Sequence, residues 1–142
     1  MLKRIHHVGI VVPNLEQGLA LWRDVLGMKV TRQATIADQG VRAALLEVGG
    51  SEIELLEPLS ATGGVGRFLE RFGGGLHHIC FETADVAREL EAARGRGLEL
   101  IDQRPRLGLA GMICFLHPKA AHGVLIEFAQ PEFEELANKT GD

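Results

Sequence analysis

Apolar and polar positions along the chain run through the same pattern twice. In the first round "RIHHVGIV", residues 4–11, is followed by Leu15, Leu19, Trp22 and Leu26 at helical spacing. Then come three β-type runs, "MKVTRQATI", "GVRAALLEV" and "SEIELLEPL". In the second round "GLHHICFE", residues 75–82, leads into Val86, Leu90 and Ala93, then "LELID", "GMICFLH" and "GVLIEFA". A period near 3.6 predicts an amphipathic helix, and short apolar runs bounded by turn residues predict strands, so each round reads β-α-β-β-β. Asn14, with Gln17 three residues on, and Asp85 are the expected N-caps; Gly27 and Gly97 are the expected stops. The expected organisation is a first module over about residues 1–60 and a connector over about 61–74 with a short helix at 65–72. A second module over about 75–130 and a polar C-terminal tail follow. One module is too small to bury its sheet alone, so the whole chain, 1–142, is expected to form a single α+β domain.

Alternation along a strand sorts side chains onto two faces. Val8, Ile10 and Val12, Ile53 and Leu55, Ile79 and Phe81, and Val124, Ile126 and Phe128 have the parity that helices should cover. The opposite parity carries His7 with Gly9, Glu54 with Leu56, His78 with Cys80, and Glu127 with Leu125. His7 to Glu54 spans 47 residues and His78 to Glu127 spans 49, so each copy supplies one imidazole and one carboxylate at matched places. Singly, each is an ordinary edge histidine or exposed acid. Matched in two repeats and paired by a pseudo-twofold, they form a mixed N/O site for one divalent ion, with cobalt, manganese, nickel and zinc all suited. His6 and His77 have the other parity and are expected to cap the edge of the core or to orient their neighbours.

The formal charge of −4, with scattered lysines and arginines, offers no basic face for nucleic acid. Cys80 and Cys114 lie far apart in apolar runs and read as buried, reduced thiols. The N-terminus has no apolar segment behind its basic residues, and no apolar stretch approaches the length of a membrane span. A cytoplasmic location without membrane contact is the expectation.

The segments "HHVGIVVPNLEQGLALWRDVLGM", "QGVRAALLEVGGSEIELLEP", "GGGLHHICFET" and "FLHPKAAHGVLIEF" resemble the methylmalonyl-CoA epimerases of the vicinal oxygen chelate superfamily, over residues 5 to 128. The resemblance implies a curved, partly open mixed sheet around a metal-binding cleft, with His7, Glu54, His78 and Glu127 as ligands. It implies an isomerase acting on an acyl-CoA thioester in propionate metabolism, epimerising (R)- and (S)-methylmalonyl-CoA by removing and returning the C2 proton. A homodimer is also implied, and strand edges left open by two four-stranded modules give it a physical reason. Some epimerases carry a candidate acid/base glutamate on the strand after "QGV", where this chain has Ala43, and "GLAGM" lacks the His and basic residue of relatives with "GAHGK". Glu127, and then Glu54, are therefore the expected proton-transfer groups, with Lys119 the expected contact to the CoA phosphates. Two alternatives share the fold: a glyoxalase I-type lactoylglutathione lyase, which would use the same four residues, and a non-catalytic ligand-sequestering protein.

Overall fold

The computed structural model describes residues 1–131, so the expected polar tail lies outside the described residues. Two compact units are present, one of His7–His78 and one of Met1–His6 with the chain from Ile79 onward.

Within His7–His78, strand β1 (Leu2–Val11) supplies its second half and runs parallel to β4 (Ser51–Pro58). β4 pairs antiparallel with β3 (Val41–Val48), and β3 pairs antiparallel with β2 (Lys29–Ile36), giving the order β2-β3-β4-β1. Helix α1 (Leu15–Leu19) makes the first crossover. Asn14 Oδ1 accepts the Gln17 N–H at 2.9 Å, the cap that the sequence predicts. Leu15 and Leu19 pack with Val12, Ala44, Leu46 and Leu55 into a closed core, which Ile10, Trp22 and Ile53 border.

The helix departs from its predicted course after Leu19, where Ala20–Val25 winds as a π-helix and the Leu26 N–H bonds Leu21 O at 2.9 Å. The wider turn keeps Trp22 against the core but rotates Leu26 off it, so Leu26, expected on the buried face, is exposed. Helix α2 (Gly64–Phe72) forms the connector and stops at Gly73, whose φ of 75° is open to glycine at little cost.

The second unit repeats the connectivity. From Ile79 onward β5 (Gly75–Thr83) pairs parallel with β8 (Ile126–Gln130), which pairs antiparallel with β7 (Gly111–Leu116) and through it with β6 (Arg106–Gly108), giving β5-β8-β7-β6. Helix α3 (Val86–Gly95) is capped by Asp85 Oδ1, which accepts the Arg88 N–H at 3.1 Å. Its buried stripe, Val86, Leu90 and Ala93, packs on Cys114, Leu116 and Phe128, with Phe81 and Ile126 alongside. Cys80, Ala110, Ile113, Phe115 and Ala129 form a separate apolar cluster with Leu125 beside it.

Two predicted strands shift here. "LELID" does not join the sheet as a strand: Leu100 makes a single bridge to Leu116, and the edge strand is instead Arg106–Gly108. Asp102 explains the break, because its carboxylate takes the Phe115 N–H at 2.8 Å and the Arg106 guanidinium at 3.0 Å. Val124, expected on the buried face, is exposed, because His122 and Gly123 turn the chain at positive φ and β8 begins beyond them. Among the described residues no helix is long and apolar enough to cross a membrane.

Candidate metal centre

Parallel pairing of β1 with β4 sets His7 beside Glu52 and Gly9 beside Glu54, so these four positions share one sheet face. His78, at the start of β5, belongs to the same unit. Nε2 of His7 lies 3.1 Å from Nε2 of His78, and Oε1 of Glu54 lies 3.5 Å from the first and 3.3 Å from the second. Three donors of three different residues thus point at one small volume. The two rings stand edge to face, 5.2 Å apart at 86°. All three residues are buried, His7 completely.

Burying imidazole nitrogens and a carboxylate costs several kcal/mol unless something neutralises and bonds them. These spacings suit a cation. Ligands about 2.0–2.2 Å from a metal stand about 3.0 Å apart at right angles and about 3.4 Å apart in a tetrahedron. The N/O donor set fits the borderline divalent ions that the sequence suggests. Burial alone would raise the Glu54 pKa, but the facing imidazoles of His7 and His78 outweigh it and hold the carboxyl well below the usual range. Glu54 is therefore held as a carboxylate, the form a metal takes.

Behind His78 stands His77, with its Nδ1 2.9 Å from Nδ1 of His78 and its ring edge-on to Phe68 of α2 at 4.9 Å. This geometry suits the orienting role expected of His77. His6 is fully buried.

Glu127, the fourth expected ligand, sits in the other unit, buried on β8 between the backbone partners Cys80 and Phe115. Lys119 is exposed on a short 3-10 turn, Pro118–Ala121, where its N–H donates to His117 Nδ1 at 3.1 Å. Ala43 is fully buried on β3 opposite Ala34 and Leu56. Glu52, not among the residues expected at the site, is buried and accepts the Thr31 hydroxyl at 2.9 Å. Alternation in "SEIELL" was the signal, since Glu52 has the parity of Glu54.

The model of the glyoxalase/bleomycin resistance protein/dioxygenase superfamily matches residues 6–116. The ethylmalonyl-CoA/methylmalonyl-CoA epimerase of Cereibacter sphaeroides is 35% identical over 92% of this chain and 99% of its own. An uncharacterized Bacillus subtilis protein, YqjC, is 36% identical over 94% and 96%. A substituted Streptomyces coelicolor methylmalonyl-CoA epimerase, solved in complex with 2-nitronate-propionyl-CoA, is similar with a TM-score of 0.90. It is 37% identical, over 94% of this chain and 97% of that one. The chain belongs to the glyoxalase/bleomycin resistance protein/dioxygenase superfamily, on the branch that includes the methylmalonyl-CoA epimerases.

Proposed function

We propose that this chain is a metal-dependent epimerase of (R)- and (S)-methylmalonyl-CoA, acting in the cytoplasm as a homodimer. The observation that carries the proposal is the buried meeting of His7, His78 and Glu54 within 3.5 Å, in a chain whose relatives include epimerases of this substrate class. Glu127 completes the ligand set, an assignment supported by its matching place in the second repeat and by its burial.

A bound divalent ion would supply Lewis-acid stabilisation of the charge that develops on the thioester oxygen when C2 loses its proton. The chain's own residues do the rest. His7 and His78 through Nε2, and Glu54 through its carboxylate, would hold such an ion in a buried setting where electrostatic stabilisation is strong. Inversion needs a proton taken from one face of C2 and one returned to the other. Ala43 has no group for either step. Glu127 takes the proton at a carboxylate oxygen, and Glu54, from the other repeat, serves the opposite face; each acid must let go of the ion to take a proton and carries that proton until it is returned. Lys119, exposed beside the β8 strand, meets the CoA phosphates.

A second reading is a glyoxalase-type lyase, which would use the same two imidazoles and two acids; Ala43, standing where some epimerases carry a candidate acid/base glutamate, favours it. Incubating the protein and cobalt with one enantiomer of methylmalonyl-CoA, and in parallel with the glutathione adduct of methylglyoxal, separates the two. Loss of enantiomeric excess in the first supports the epimerase. Lactoylglutathione formation without it overturns the epimerase in favour of the lyase.

A further inference from the structure

His78 lies against bare backbone at Gly9. A Cβ on Gly9 would stand 2.0 Å from Cε1, 2.3 Å from Nδ1 and 2.6 Å from Nε2 of the His78 ring, far inside any tolerated contact. Gly9 lies within strand β1 and is absent from the glycines with positive φ, so the backbone itself does not call for glycine. Glycine in mid-strand weakens pairing, and it often marks a close approach by another group. Here the approaching group is an imidazole. In the second repeat the matching residue is Cys80, so the bare position occurs in only one copy.

A second contact fixes the same ring. His77 and His78 approach through their Nδ1 atoms at 2.9 Å, and His77 is itself held edge-on by Phe68 at 4.9 Å. One Nδ1 must donate and the other accept. If His78 donates, its Nε2 keeps a lone pair on the side where His7 Nε2 lies at 3.1 Å and Glu54 Oε1 at 3.3 Å.

We infer that Gly9 and His77 are positioning residues for His78: Gly9 by leaving the space its ring occupies, His77 by fixing its Nδ1 so that Nε2 faces His7 and Glu54. The inference deepens the metal-site proposal and rests on it only for what the ring is positioned to hold. The clash at Gly9 exists with or without a metal.

The test is a double-mutant cycle with Gly9→Ala and His78→Ala, read by thermal unfolding under chelator and by Co2+ titration with the visible cobalt spectrum. Gly9→Ala should lower the midpoint by about 5 °C in the native background. With His78 already alanine, it should leave the midpoint unchanged or raise it. In the native background Gly9→Ala should also weaken Co2+ binding about tenfold or more and shift the cobalt bands. His77→Phe should weaken binding comparably, and His77→Gln, which keeps a polar partner for Nδ1, should restore most of it. Equal midpoint losses from Gly9→Ala in both backgrounds would overturn the role of Gly9. Cobalt affinity within twofold of native in His77→Phe would overturn that of His77. If the native chain binds no cobalt while the cycle still shows coupling, Gly9's part stands and the metal-site proposal falls.

Discussion

Nε2 of His7 and Nε2 of His78 face each other across 3.1 Å, although the residues are 71 positions apart in the chain. Without a third party the pair can share one proton at most, and Glu54 Oε1, within 3.5 Å of both, adds a negative charge to the same spot. The chain thus concentrates two imidazole nitrogens and a carboxylate where one cation can be held by all three.

Metal should therefore stabilise the fold. Adding Co2+ or Zn2+ at a hundred times its dissociation constant should contribute about 2.7 kcal/mol, which a thermal-shift experiment reads as a higher Tm reversed by chelator. His78→Ala and Glu54→Gln should each remove most of that gain. An equal gain in all three proteins would place metal binding elsewhere.

Lys119 is assigned to the CoA phosphates and not to the reacting carbon. Lys119→Ala should raise KM for the acyl-CoA about two- to fivefold, the effect of one exposed ion pair, with kcat nearly unchanged. Steady-state kinetics at two salt concentrations check this, since screening should shrink the difference.

Cys114 gives the fold a pH dependence. Burial pushes its thiol up to about 12, and the negative charges of Asp102, Glu127 and Glu89 add to the shift. Because the folded state keeps a proton that the unfolded chain gives up near 9, this contribution is intact below about pH 9 and is lost as pH rises toward 12. Urea denaturation between pH 8 and 10.5 should show stability falling, and Cys114→Ala should flatten the fall. The native thiol should also resist iodoacetamide at pH 8.

Leu90 fills the core beneath α3, with 1% of its surface exposed. Leu90→Ala should cost about 2–5 kcal/mol by chemical denaturation. The Asp85→Ala cap deletion, at the same helix, should cost about 1 kcal/mol.

The elements that local chemistry controls were legible in the sequence. Asn14 and Asp85 cap their helices as residue type predicts, and Gly27 and Gly97 take the positive φ that ends them. Alternation also sorted His7 and Glu54 onto one face of paired strands. What was missed depends on tertiary competition. The π-turn that exposes Leu26 follows from packing Trp22 and not from periodicity. The strand expected at "LELID" yields because the Asp102 side chain takes a backbone N–H of β7. Glu52 is not legible in this way, because an acid in a strand reads as exposed until its partner, the Thr31 hydroxyl, is known.

Metal-assisted proton transfer at C2 of methylmalonyl-CoA can be read as solvent deuterium entering that carbon, measured by mass spectrometry with native protein and with Glu127→Gln, each with and without chelator. The cobalt-loaded native chain should exchange fast, with near-complete loss under chelator and a fall of about a hundredfold or more in Glu127→Gln. Exchange that survives both chelator and Glu127→Gln, or none in the loaded native chain, would contradict metal-assisted proton transfer.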